Sequence, residues 1–169
     1  MSVVVSTVES VTTLAREVLA VAEDSLALTA GGIPARSYIA PDPVIMDCCP
    51  FLSVSVPRIG EETTSPFSPP AATGHRTQFG RVNLVSFNVV AVRCAPESDN
   101  ADDIEYVTDL VLQDGWSLWC GFYDAIRDGR FKDECQNTHF DSGTAVREQG
   151  MCVGWLFRFR TELNGIPQA

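Results

Sequence analysis

The segment from Pro96 to Asp128 carries the strongest hydrophobic periodicity in the chain, and it constrains the fold more than any other feature. Its apolar residues recur at helical spacing, so one long helix is predicted, with Gly115 as a candidate bend. Acidic residues gather at its start and Arg127 stands at its end, as the helix dipole favours, and Gly129 supplies a left-handed cap. There are two apolar stripes: Ile104, Val107, Val111, Leu118 and Phe122 form the first, and Leu112, Trp116, Trp119, Tyr123 and Ile126 form the second. Two stripes predict burial on two sides, one against a sheet and one against a second subunit.

The rest of the chain predicts one shorter helix and four strands. Apolar spacing indicates a helix from Thr7 to Ala22, started by a capping box of Ser6 and Glu9. Alternation with a period of two indicates strands over residues 49–58, 81–94, 144–147 and 151–162. A break in that alternation at Ser86-Phe87 predicts a bulge, and a short turn containing Gly150 joins the last two strands as a hairpin.

These elements predict an α+β fold. Hairpin-connected strands favour a mainly antiparallel four-stranded sheet, with the N-terminal helix and the long helix packed on one face. The last strand directs its large apolar side chains to one side, so we expect it to lie centrally against the long helix. The 169 residues suit a single domain, 1–169.

The stretch 60–80, between the first two strands, shows neither helical nor strand periodicity. A loop of this length in a compact domain is usually functional or lacks a fixed structure. It is rich in proline and carries Phe67 and Phe79 as aromatic anchors, which is typical of an arm that orders on a partner. The predicted interface combines this loop with two tryptophans of the long helix: Glu61, Glu62, Pro66, Phe67, Pro69, Pro70, His75, Arg76, Phe79, Trp116 and Trp119.

Charge and hydropathy exclude several classes of protein. The chain has 22 acidic and 12 basic side chains, and its formal net charge is −10. Binding to nucleic acid needs clustered positive charge, so this class is disfavoured. No apolar run reaches the roughly 18 residues that cross a bilayer, and the sequence does not open on a secretory signal.

The sequence lacks the local motifs that are typical of enzymes. The sequence contains no phosphate-cradling glycine motif, nucleophile elbow or HExxH pattern. We therefore predict no enzyme, no catalytic, cofactor-binding or metal-binding residues, and no cofactor.

The six cysteines leave one alternative open. Without an export signal a reducing compartment is expected, which favours buried thiols. Cys94, Cys120 and Cys152 lie in apolar stretches and are expected to pack as small hydrophobic residues. The alternative is a metal- or thiol-dependent enzyme, although the paired spacing of a zinc site is lacking. Its residues would be Cys48, Cys49, Cys135 and His139, with Asp141 nearby.

The segment Pro43–Val56, followed by the strand Val82–Val89, resembles the small neck proteins of long-tailed phages of actinobacteria, especially the tail terminators. The order of elements is similar over most of the chain. The resemblance implies a tail-terminator-like fold and a homohexameric ring that caps the tail tube, stops its polymerisation and joins tail to head. It implies no catalytic residues. A head-closure or adaptor protein of the same neck is the alternative.

The resemblance also implies partners and location. Beside copies of itself, the chain would contact the tail tube protein and a head-closure or connector protein, with no membrane involved. It would be found in the virion, at the tail and neck, and in the host cytoplasm during assembly. DNA would pass through the lumen without specific binding, because six chains of charge −10 repel phosphate. The predicted channel-facing acids are Asp99, Asp102, Asp103 and Glu105.

Overall fold

The computed structural model describes residues 2–40, 50–62, 82–96, 100–133, 135–148 and 152–163. Within these ranges the chain forms two helices and six strands. In chain order they are α1 (Ser2–Leu26), β1 (Ser37–Ala40), β2 (Phe51–Glu62), β3 (Val82–Cys94), α2 (Ala101–Arg127), β4 (Cys135–Phe140), β5 (Thr144–Glu148) and β6 (Cys152–Leu163).

The strands form one mixed sheet in the order β1-β2-β3-β6, and β4 and β5 share the outer edge of β6. The pair β1–β2 is parallel and every other pair is antiparallel. The α+β class is therefore confirmed, and the predicted hairpin of β5 and β6 is present. The sheet has six strands where the sequence predicted four.

The two strands that the sequence did not predict, β1 and β4, lack the alternation of apolar and polar residues that is typical of a half-buried strand. β1 has four residues and follows the turn at Gly31-Gly32 and Pro34, so it is too short for a period to show. β4 buries only its first and last residues. Its pairing with β6 shifts register between Gln136 and His139, where Asn137 adopts a φ of 49°. Tertiary pairing, rather than local pattern, makes both segments strands.

The predicted bulge is present, but in the opposite strand. The register shifts between Ser55 and Arg58 of β2, which face Asn88 and Ser86 of β3. Pro57 lies in this irregularity, where its missing N–H costs no ladder hydrogen bond. The break in alternation at Ser86-Phe87 therefore reports a bulge whose extra residue belongs to β2.

Helix α1 is longer than predicted at both ends. It begins at Ser2 and ends at Leu26, so Ser6 lies inside the helix and is not its N-cap. A serine three residues before a glutamate also fits a helix interior, which makes this signature weak evidence on its own. The buried face consists of Val11, Leu14, Ala15, Val18, Val21, Ala22 and Leu26.

Both helices pack on one face of the sheet, as predicted, and β6 lies centrally beneath α2. The core between them is aromatic: Phe122 of α2 stacks on Phe140 of β4 at 4.2 Å between ring centroids, and Phe140 stacks on Phe157 of β6 at 5.0 Å. The other face of the sheet is also buried, at Phe51, Ser53 and Ser55 of β2. This strand is therefore buried on both faces, where the sequence predicted one.

A buried ion pair ties the turn after α1 to β3 and α2. Arg93 donates from Nε to Asp114 Oδ2 at 2.7 Å and from Nη2 to Asp114 Oδ1 at 3.1 Å. The same guanidinium donates to the carbonyl oxygens of Gly31 and Gly32, at 3.0 and 2.6 Å, and Thr29 donates its hydroxyl to Asp114 Oδ1 at 2.9 Å. This cluster, the Arg93–Asp114 clasp, fixes where the middle of α2 lies on the sheet.

Candidate interaction surface on the long helix

Local signals fix the two ends of α2. Asn100 is the N-cap, and its side chain accepts a hydrogen bond from the backbone N–H of Asp102. At the other end Gly129 has a φ of 72° and donates to Ile126 O, while Arg130 donates to Ala125 O. These two bonds are the Schellman pattern. The predicted left-handed cap at Gly129 is confirmed, whereas the helix starts a few residues later than Pro96 and Ser98 suggested.

The two apolar stripes of α2 differ in their exposure to solvent. The first packs into the core through Leu118 and Phe122, which are fully buried, but Ile104 near the start of the helix is 45% exposed, so this stripe is buried only in part. The second remains in solvent: Trp116 is 70% exposed, Tyr123 63% and Leu112 54%. Trp119 and Ile126 of that stripe are partly buried against the core. We call the second stripe, Leu112, Trp116, Trp119, Tyr123 and Ile126, the aromatic face.

An open apolar groove of about 360 Å³ runs beside the aromatic face. Leu112, Trp116 and Trp119 form one wall, and Gly143, Trp155 and Phe157 form the other. A second groove of about 260 Å³ continues along Trp119, Tyr123 and Ile126 towards β4. Exposed large apolar side chains that line grooves mark binding surfaces on soluble proteins.

Two glycines allow this groove to form. The indole N–H of Trp155 donates to Val111 O at 2.7 Å, so the ring lies against the α2 backbone. A Cβ on Gly115 would lie 2.5 Å from Trp155 Nε1, and a Cβ on Gly143 would lie 2.5 Å from the Phe157 ring. Helix α2 is continuous through Gly115, so this residue provides space for Trp155 rather than a bend.

The acids predicted to face a channel lie where the sequence placed them along α2. Asp102, Asp103 and Glu105 are exposed in its first turns. Asp99 lies outside the described residues. One chain does not define a lumen, so their channel role stays a prediction.

The loop residues of the predicted interface fall largely outside the described residues. These are Pro66, Phe67, Pro69, Pro70, His75, Arg76 and Phe79. Glu61 and Glu62 belong to the end of β2 and pair with Asn83 and Val82 of β3. Of the predicted interface, Trp116 and Trp119 are therefore the residues whose surroundings are known.

The residues of the enzyme alternative are only partly brought together. His139 Nε2 lies 3.2 Å from Asp141 Oδ1, and Arg160 Nη2 donates to the same oxygen at 2.8 Å. Cys135 is buried; its thiol donates a hydrogen bond to Phe131 O at 3.2 Å, and its sulfur lies within hydrogen-bond distance of Thr138 Oγ1, at 3.4 Å. Cys48 and Cys49 lie outside the described residues, and within those residues no three potential ligands group as a metal site. The Arg160 cation beside Asp141 further disfavours a metal ion there.

The cysteines differ from the expectation at two positions. Cys94 is a free thiol but is exposed rather than packed in the core. Cys152 is buried and disulfide-bonded. Cys94, Cys120 and Cys135 take no part in a disulfide. Spacing and an expected reducing compartment could not reveal this bond, because it depends on which segments the sheet brings together.

The sequence predicted the α2 part of this surface as the second apolar stripe, and it named Trp116 and Trp119 for the interface. Leu112 and Tyr123 belong to the same stripe. Gly143, Trp155 and Phe157 reach the groove from other elements. No local sequence pattern predicts that these three residues line the groove, because their position depends on how β6 lies beneath α2.

No protein-family model matches this sequence, and no curated protein is significantly similar to it. In the part of the chain that the structure describes, no helix is both long and apolar enough to cross a membrane.

Proposed function

We propose that this protein is a structural assembly subunit that acts by binding other protein chains and not by catalysis. One observation carries the proposal: the aromatic face of α2 presents Leu112, Trp116 and Tyr123 to solvent. Each aromatic side chain that becomes buried contributes a contact area of about 150–250 Å². Soluble monomers rarely keep such a patch without a use for it.

Within this class we propose a tail terminator of a long-tailed phage. The chain would form a homohexameric ring at the head-proximal end of the tail tube, stop tube polymerisation and join tail to head. The resemblance of Pro43–Val56 and Val82–Val89 to tail terminators supports this role. The acidic balance of the chain suits a ring that DNA traverses without being held. A head-closure or adaptor role in the same neck is the alternative.

Tube-length measurement tests the proposed function. Purified protein is added to polymerising tail tube protein, and tube lengths and tube ends are examined by negative-stain electron microscopy. We expect sixfold rings on one end of each tube and tubes that stop growing. Unchanged tube growth and bare ends would refute the terminator role. Twelvefold rings, or rings that bind only the head connector, would favour the adaptor or head-closure alternative.

Metal analysis tests the metal-dependent enzyme that is the alternative to this proposal. Purified protein and its His139→Ala variant are compared for bound zinc. We expect less than stoichiometric metal in both. Stoichiometric zinc in the natural protein that is lost from the variant would instead support the metal-dependent enzyme.

A further inference from the structure

Cys94 and Cys152 stand directly opposite each other, where β3 ends and β6 begins. They are the last pair of partners in the antiparallel register of these two strands. Residues that face each other in this way lie on the same side of the sheet, with Cβ atoms about 4.5–5.5 Å apart. Cys152 packs with Phe51 and Val92 on the sheet face away from the helices. The side chain of Cys94 therefore lies on that face as well.

The two strands approach each other closely beside this pair. Gly154 lies two residues along β6 from Cys152 and pairs with Val92. A Cβ on Gly154 would lie 2.7 Å from Val92 Cα, so the close approach requires glycine there. A disulfide joins residues whose Cα atoms are about 4.4–6.8 Å apart, and facing residues of antiparallel strands are about 4.5–5.5 Å apart. The spacing of Cys94 and Cys152 therefore permits a bond between their sulfurs.

The two cysteines differ in oxidation state. Cys152 is disulfide-bonded and buried, whereas Cys94 is a free thiol that is exposed to solvent. Thiol–disulfide exchange takes place when a thiolate reaches one sulfur of an existing disulfide. An exposed thiol on the strand that pairs with a disulfide-bonded residue meets this requirement within one chain.

We infer that Cys94 and Cys152 form a thiol–disulfide exchange site, at which Cys94 takes over the bond that Cys152 now makes. The thiolate of Cys94 attacks Cys152 Sγ, and a new S–S bond joins β3 to β6. The bond between Cys152 and its present partner breaks in the same step. That partner sulfur leaves as a thiolate and takes up the proton that Cys94 has lost. One disulfide and one thiol are present before and after, so the step needs neither an oxidant nor a reductant.

The exchange gives the chain two covalent forms with the same number of free thiols. In the present form Cys152 is bound to a sulfur other than that of Cys94. In the second form the bond encloses residues 94–152, which include the whole of α2. A disulfide restricts the unfolded chain more when the loop that it closes is longer. The exchange therefore places a covalent constraint around the part of the chain that carries the aromatic face. The inference does not rest on the proposed function, because it concerns only the cysteines.

The other free thiols of the described residues do not face Cys152. Cys120 lies on α2, in a groove between the two helices, and both helices cover the opposite face of the sheet. Cys135 pairs with Leu163, at the far end of β6 from Cys152. The register thus selects Cys94 as the attacking residue, and Cys120 serves as a matched control.

Peptide mapping of the natural protein tests the inference. Protein purified without reductant is held free of air at about pH 8.5, where thiolates form, and its free thiols are then blocked with N-ethylmaleimide. Trypsin places Cys94 in peptide 94–127 and Cys152 in peptide 148–158. We expect these peptides to become linked over hours, the time scale of uncatalysed disulfide rearrangement. The number of free thiols per chain should stay constant.

Two single variants identify the attacking sulfur. Cys94→Ser should abolish the link between the two peptides. Cys120→Ser removes the other cysteine of peptide 94–127 and should leave the link unchanged. A natural protein without the linked peptide after about a day would overturn the inference, and so would a link that persists in Cys94→Ser.

A two-cysteine variant tests the geometry separately. Cys48→Ser, Cys49→Ser, Cys120→Ser and Cys135→Ala leave Cys94 and Cys152 as the remaining cysteines. Oxidised glutathione takes two electrons and two protons from this pair and leaves as two molecules of glutathione. We expect a bond within the chain and the loss of both maleimide-reactive thiols. A folded variant that keeps both thiols, or ends as a mixed disulfide with glutathione, would contradict the proposed geometry. Circular dichroism shows whether the variant folds, and if it does not, the mapping of the natural protein decides.

Discussion

Replacing Asp114 by asparagine removes the negative charge from the Arg93–Asp114 clasp while keeping the size of the side chain. The two side chains are 10% and 4% exposed, so the guanidinium of Arg93 would be left buried without a counter-charge. Breaking a buried ion pair by removing one partner costs about 3–5 kcal/mol. This is a large part of the roughly 5–15 kcal/mol that stabilises a typical domain. For a chain of this size it lowers the melting temperature by on the order of 10 °C.

Thermal and urea denaturation, followed by circular dichroism, measure this loss. Arg127→Met is the control, because Arg127 also pairs with two aspartates but in solvent; its melting temperature should stay close to that of the natural protein. The double variant Arg93→Met/Asp114→Leu should recover more than half of the loss, since it leaves no buried charge. Recovery stays incomplete because Gly31 and Gly32 lose their hydrogen-bond donor. Asp114→Asn within about 1 kcal/mol of the natural protein would refute the reasoning.

Three further predictions concern α2 and the loop. Gly115→Ala should destabilise the fold by about 1–3 kcal/mol despite better helix propensity, because its Cβ would overlap Trp155 at 2.5 Å; a raised melting temperature would contradict this. Gly129→Val should cost about 1–2 kcal/mol, because its φ of 72° disfavours a branched side chain; unchanged urea denaturation would show that the cap tolerates it. Deleting Thr63 to Thr73 should leave the melting temperature unchanged while weakening capping of tail tubes; an unfolded variant would assign the loop to the core.

The elements that the sequence predicted well are those whose apolar residues recur with one regular period. Helix α2 has capped ends and two apolar stripes, and its first turn is acidic while its last turn carries Arg127, as the helix dipole favours. In the sequence of β6 a large apolar side chain stands at every second residue, at Val153, Trp155, Phe157 and Phe159, so its central position could be expected. The predictions failed where tertiary contacts override local pattern. β1 is a strand only because it pairs in parallel with β2, and β4 only because it pairs with β6.

The candidate site divides in the same way. The second stripe of α2 predicts a second contact surface from spacing alone, since no single sheet can bury two sides of one helix. Tertiary packing decided which residues of the stripe stay exposed. Trp119 and Ile126 are partly buried against the core, whereas Trp116 and Tyr123 are exposed to solvent. The groove beside them required Trp155 to lie over Gly115, a contact between residues far apart in sequence.

The sequence by itself determined the long helix, its C-terminal cap, the acidic residues of its first turns and the existence of a second apolar stripe, because these are local properties of 3.6-residue periodicity and capping. Only the tertiary structure decided that the sheet has six strands, that Arg93 reaches Asp114 across the fold, and that Cys152 is disulfide-bonded. These contacts join residues that are far apart in sequence, so they depend on the free energy of the whole folded domain and not on the secondary-structure propensity of any one segment.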